Sequence, residues 1–310
     1  MPVAKEISRR KFLAHSAAIA AVASVPVGSL AKESMRTRII PGTDEALPVV
    51  GLGAPRIFIT LPPEGKDLPK AVIQTMVDLG GRVIDTPPWF RPDVPAIGEI
   101  LTEMGLQEQL FLTGKITVSG KQEGIEHLEK TVRNLNKRPM DCLMVHNMRD
   151  LNIQWPTLKD WKEAGRVRYI GVSLTRTTDF SGLEKFMKDE SPDFIMPGYS
   201  ITQQGPAERV LPLAADSGIA VITAEPFKAR EDGAYFDVVS GKQLPEWASE
   251  FDCESWAQFS LKYILGNAAV TCVVTETSKV HHVADNMRAG FGRLPDEATR
   301  QRMSEYFLSL

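Results

Sequence analysis

Eight times between residues 49 and 289 a short apolar run gives way to a helix-length amphipathic segment. The runs lie at 49–53, 82–85, 110–116, 141–146, 167–173, 193–199, 219–225 and 269–275. Apolar spacing near 3.6 residues predicts the helices over 67–79, 94–104, 121–136, 154–164, 178–189, 206–216, 254–265 and 279–289. The runs lack the polar alternation of a strand with one wet face, so both faces are covered, as in a parallel sheet. Eight strand–helix units in a row favour a closed (β/α)8 barrel of the TIM type over an open doubly wound sheet. The Gly-x-Gly-x-x-Gly turn of a dinucleotide-binding open sheet is missing after the first run, where "GLGAPRI" carries two glycines only. The preceding segment, "TRIIPGTDEALPVV" over 37–50, reads as an N-terminal β-hairpin closing the barrel bottom.

The first 31 residues have a different character. Lys5, Arg9, Arg10 and Lys11 precede a modestly apolar stretch that ends in Ser29-Leu30-Ala31, small residues suited to a signal peptidase. The stretch is too short and too interrupted, by His15, Ser16, Ser24 and Pro26, for a membrane span. "SRRKFL" resembles a twin-arginine export signal. The expectation is therefore a twin-arginine signal peptide over 1–31, handled by the twin-arginine export machinery, and a periplasmic or otherwise exported barrel over 36–310 with no membrane span. Removing the signal takes away four basic side chains and one acid, which moves the formal charge from −3 to −6. A chain of that sign is not built for nucleic acid. Three cysteines, Cys142, Cys253 and Cys272, show no metal-ligand spacing, and in an oxidising compartment they leave room for a Cys253–Cys272 bridge. His281 and His282 are neighbours on a helix and are expected to point apart, so a metal-dependent hydrolase barrel has little support and no metal is expected.

In a barrel of this type chemistry sits at the C-terminal ends of the strands. Asp85, Lys115, His146 and Ser173 fall at the ends of four successive strands. Each alone could be a cap, a snorkelling chain or a satisfied core group; four at one level form a candidate site.

Over residues 36–293 the chain resembles the aldo-keto reductases. The likeness rests on "IPGTDEALPVVGLG", "VIDT" with the later "IGEIL", "FLTGK", "MDCLMVH", "KEAGRVRYIGVS" and "TSKVHHVADNMRAG". It implies NAD(P)H-dependent reduction of an aldehyde or ketone, with an Asp, Tyr, Lys and His tetrad. Asp85, Lys115 and His146 match three members; the tyrosine frame falls on Phe90, with Gly98 keeping the register. In the family that phenol gives the carbonyl oxygen its proton, and Phe90 has none to give. Loss of a general acid costs a factor of ~10² to 10⁴. Proton delivery by His146, or by water between His146 and Lys115, is the remaining route.

Along the cofactor path the resemblance assigns Ser173, Tyr199, Pro226, Glu276, Thr277, Ser278 and Asn286. Other positions depart from the family: Leu174, Met196 and Ala224 are apolar where it carries polar groups, and Glu276 stands where a lysine would meet a 2′-phosphate. A carboxylate repels that phosphate, so NADH is expected to bind at least as well as NADPH. Two readings follow: an exported carbonyl oxidoreductase with altered proton delivery, and a catalytically inactive barrel serving as a binding or accessory protein. Trp89, Phe90 and Tyr199 would wall the pocket for an apolar or aromatic carbonyl substrate. The long loop 226–245, with Phe227, Tyr235 and Phe236, reads either as a lid over it or as a solvated loop.

Overall fold

The computed structural model describes residues 34–53, 56–58, 65–86, 97–175, 177, 179–229 and 233–310. The expected signal peptide, with Arg9, Arg10 and the Ala31 boundary, lies outside them, as do Trp89 and Phe90.

A hairpin of β1 (Thr37–Ile39) and β2 (Ala46–Pro48) comes first. Barrel strands β3 (Val50–Leu52), β4 (Val83–Asp85), β5 (Phe111–Ile116), β6 (Met140–Val145), β7 (Val167–Leu174), β8 (Phe194–Pro197) and β9 (Ala220–Thr223) follow. A short hairpin, β10 (Lys228–Ala229) with β11 (Gly233–Ala234), interrupts the pattern before the last barrel strand, β12 (Cys272–Thr275). The eight barrel strands pair in parallel, in chain order, and β12 closes on β3 through Val273–Val50 and Thr275–Leu52. This is the expected (β/α)8 barrel with an N-terminal hairpin.

The helices are α1 (Asp67–Asp78), α2 (Ile97–Met104), α3 (Lys121–Leu135), α4 (Leu151–Glu163), α5 (Ser181–Glu190), α6 (Gly205–Glu208) and α7 (Val210–Asp216). After them come α8 (Tyr235–Val238), α9 (Trp256–Leu265), α10 (Val280–Arg288) and α11 (Glu297–Leu308). In α3 the buried residues are Gly124, Leu128, Thr131, Val132 and Leu135, one stripe of an amphipathic helix facing the sheet. The helix stops at Asn136, which takes the left-handed conformation (φ 49°) that asparagine tolerates. Gly98 on α2 is needed for close packing: a Cβ there would stand 2.4 Å from the carbonyl oxygen of Asn134.

Two apolar layers result. Val83, Phe111, Cys142, Met144, Phe194, Met196, Ala220, Ile222, Cys272 and Val274 fill the barrel interior, with Ile40 and Leu47 of the first hairpin closing its base. The larger layer lies between strands and helices. Arg38 ties the hairpin down by donating to the carbonyls of Leu265 (2.6 Å), Asn267 (2.8 Å) and Val270. Arg168 and Tyr169 both reach Glu45 of the hairpin turn.

Several expectations need correction. The 206–216 helix is two pieces, because Arg209 leaves helical geometry at φ −137°. Helix α11 was not expected; its few buried residues, Met303, Ser304 and Phe307, give a faint sequence period, although Asp296 caps it by accepting from the Thr299 amide at 2.8 Å. No Cys253–Cys272 bridge forms. Cys272 is inside the barrel, Cys253 is in the outer layer, and all three cysteines are buried and free. Burial pushes the Cys253 thiol up to about 12, so it stays protonated. His281 and His282 do not diverge either, since their rings meet edge to face with centroids 4.4 Å apart. Among the described residues there is no group of three or more His, Cys, Asp or Glu side chains that could hold a metal. No described helix is long and apolar enough to cross a membrane.

Candidate active site

Side chains alternate between the two faces of a strand. Val83, Phe111, Met144, Met196 and Ala224 belong to the interior layer, so Asp85, Lys115 and His146 share their side at the strand tops. Asp85 and Lys115 are 8% and 5% exposed. One oxygen of Asp85, Oδ1, accepts from both the Lys115 ammonium and the Thr113 hydroxyl. Lys115 also donates to the Thr86 carbonyl at 3.2 Å. A buried ion pair held this way keeps a cation at the mouth of the barrel, where it can polarise a neighbouring proton donor or stabilise an oxyanion.

His146 follows the end of β6, and Ser173 lies near the end of β7. Val145 pairs with Val172, which brings the two side chains level. His146 Nδ1 is 2.9 Å from Ser173 Oγ, and the Asn147 amide donates to the same oxygen at 3.2 Å. Asn147 sits in the left-handed region (φ 49°, ψ 35°). That turn brings its side-chain nitrogen to 3.1 Å from His146 Nε2, and its Oδ1 accepts from the Thr175 amide at 3.1 Å. Asn147 and Thr175 were missed in the sequence. The only signal there was polarity next to His146 and Ser173.

Of the residues expected along the cofactor path, Tyr199 needs the clearest correction. It is fully buried in the outer layer, its ring 6.0 Å from that of Tyr263, and its hydroxyl accepts from Arg300 at 2.5 Å. It follows Gly198, one step out of phase with the inward-facing Met196, so it does not wall the pocket. Pro226 is buried, with its carbonyl accepting from the Ser260 hydroxyl at 2.6 Å. Glu276 is exposed just past β12. Thr277 accepts from the Lys279 amide at 3.2 Å, Ser278 is half-buried, and Asn286 is buried on α10. Met196 and Ala224, two departures from the family pattern, do face the interior.

Another polar group at this level was also missed. The Gln203 amide fills the place beside Gly198 where a side chain would stand, 3.2–3.3 Å from that position. Its Oε1 is buried without a hydrogen-bond partner among the described residues. An orphaned acceptor of this kind suits a ligand N–H.

The described part of the 226–245 loop is built rather than purely solvated. Tyr235 is fully buried, stacks on Phe307 at 4.9 Å and donates its hydroxyl proton to the Trp256 carbonyl at 2.9 Å. Burial raises that phenol well above the usual range. Tyr235 is therefore an anchor onto α11, while Phe236 is 46% exposed. A cavity of about 500 Å³ opens at the other end of the barrel, between Glu45, Arg82, Phe111, Lys137, Asp141 and Arg168. It is far from the strand tops that carry the chemistry.

The fold agrees with what comparisons with known proteins find. Among solved structures, a Bacillus halodurans aldo-keto reductase in its holo form superposes with a TM-score of 0.68 at 20% identity, covering 88% of this chain and 96% of that one. A Bombyx mori aldo-keto reductase in complex with NADP gives 0.67 at 18% identity, over 88% and 93%. A Brucella melitensis aldo/keto reductase gives 0.65 at 18%, over 88% and 99%. At these identities the likeness speaks for the fold. An uncharacterised oxidoreductase of Schizosaccharomyces pombe is 27% identical over 159 residues, 43% of this chain and 46% of that relative, so the match spans about half of its length. The aldo/keto reductase family model matches residues 50–302, nearly the whole barrel, and the chain belongs to the aldo/keto reductase family.

Proposed function

We propose that this protein is an exported NAD(P)-dependent carbonyl oxidoreductase whose proton delivery differs from that of its family. The observation that carries the reading is the buried Asp85–Lys115 pair, kept at the mouth of the barrel although Phe90 stands in the tyrosine frame. Gln203, Thr277 and Ser278 offer polar groups beyond the strand ends for a dinucleotide, with Ser173 seated behind His146 and Asn286 buried on α10, and the orphaned Gln203 acceptor fits its carboxamide. When bound, the reduced cofactor supplies a hydride to the carbonyl carbon. The chain's own part is to orient the carbonyl, to keep the Lys115 cation near the oxygen that gains charge, and to pass it a proton. Phe90 cannot supply that proton, which leaves His146 or a water between His146 and Lys115.

The rival reading, an inactive barrel that binds a ligand or accessory partner, draws support from Met196 and Ala224, which face the interior where the family pattern carries polar groups. A thermal melt separates the two. The oxidoreductase reading expects a higher melting temperature with NADH or NADPH, through mass action on the folded state. No shift with either nucleotide at millimolar concentration would favour the binding-protein reading. The exposed carboxylate of Glu276 leads us to expect NADH to bind at least as tightly as NADPH, and calorimetry with both checks it. Export follows from the Arg9-Arg10 pair: changing both to lysine should leave the protein in the cytoplasm, and unchanged periplasmic recovery would contradict it.

A further inference from the structure

The contacts of His146 with Asn147 and Ser173 point to which of its ring nitrogens carries the proton. The Thr175 backbone amide can only donate, so the Asn147 atom facing it at 3.1 Å is the acceptor Oδ1. The atom facing His146 Nε2 at 3.1 Å is then the amide nitrogen, which can only donate. Nε2 must therefore present its lone pair. In a neutral imidazole the hydrogen then sits on Nδ1, 2.9 Å from Ser173 Oγ. Ser173 Oγ accepts there and accepts again from the Asn147 backbone amide at 3.2 Å, which uses both of its lone pairs. Each N–H in this ring of contacts then meets an acceptor, and moving the imidazole proton to Nε2 would put two donors, Nε2–H and the Asn147 amide, face to face.

We infer that Asn147 is a positioning residue that holds His146 as the Nδ1–H tautomer, with Nε2 an acceptor covered by the Asn147 amide. In this state His146 cannot donate a hydrogen bond or a proton from Nε2 to a carbonyl oxygen. A ligand hydroxyl, being a donor, can replace the Asn147 amide at Nε2 with no change of tautomer, whereas a bare carbonyl cannot. For turnover, a consequence that rests on the oxidoreductase reading above, the proton for a carbonyl must come from the Lys115 side of the site. The tautomer itself does not depend on that reading.

The test is long-range ¹H–¹⁵N correlation NMR on the full chain at about pH 8, above the ordinary imidazole range, without cofactor or substrate. The His146 ring signals are identified by their loss in His146→Gln. The expected wild-type spectrum has a protonated Nδ1 and an unprotonated Nε2. Asn147→Asp puts an acceptor opposite Nε2 and should move the proton there, and Asn147→Leu, with no group to offer, should give a mixture of the two tautomers. A wild-type His146 protonated at Nε2 overturns the inference, as does a folded Asn147→Asp variant with Nε2 still unprotonated. The wild-type spectrum decides the matter alone if the variants fail to fold. Because no turnover is read, failure here and failure of the oxidoreductase reading are separate outcomes.

Discussion

Two buried lysine–aspartate pairs sit at opposite ends of the same barrel, and they are bonded differently. At the bottom, Asp141 takes Lys137 at 3.2 Å, Arg168 at 2.8 Å and the Leu112 amide at 2.8 Å, using both carboxylate oxygens. Lys137 spends its other protons on the carbonyls of Gln107 (2.6 Å) and Leu110 (2.9 Å). At the top, Asp85 takes Lys115 and Thr113 on one oxygen, and among the described residues Lys115 has a single further acceptor, the Thr86 carbonyl. Among the described residues Asp85 Oδ2 accepts nothing, and Lys115 has a proton to spare. The bottom pair is saturated and locks the hairpin end of the barrel. The top pair has capacity left over on the face where (β/α)8 barrels do their chemistry.

That contrast makes an ordered set of predictions. Asp141→Ala should be the most damaging, because it leaves a buried Lys137 and the Leu112 amide without their partner. A loss of about 3–5 kcal/mol is expected from breaking such a pair, read as a lower urea midpoint with unchanged slope. Asp85→Asn should cost less, on the order of 3 kcal/mol, since the amide keeps an acceptor for the Thr113 hydroxyl, Lys115 can turn toward the open face, and no backbone amide or arginine loses its partner as at Asp141. It should also lower stability more than it lowers any residual turnover. Equal losses for the two variants would mean that the top pair is as closed as the bottom one and has no capacity for chemistry.

The barrel was legible because its signal is repeated: eight apolar runs with no polar face leave few alternatives. Asp85, Lys115, His146 and Ser173 were legible as a level because strand ends are fixed by the same pattern. What was not legible depends on side-chain direction one residue beyond a strand. Tyr199 sits one step past the inward-facing Gly198, and that single step turns its ring from the pocket to the outer layer. Asn147 gains its contacts with both His146 and Ser173 through a left-handed turn, which an asparagine permits but does not by itself require. Tyr235 reads as a lid residue until α11 supplies Phe307 to stack on it.

The central claim is that the top pair persists as the tuning device for a phenol that Phe90 does not supply. Phe90→Tyr tests it most directly, with NAD(P)H-dependent reduction of small aromatic aldehydes as the measurement. The account predicts slow turnover in the wild type and a gain on the order of 10²-fold in the variant, with little change in stability. A wild-type protein already working at the rate that Phe90→Tyr reaches would contradict it, since another group would then be delivering the proton.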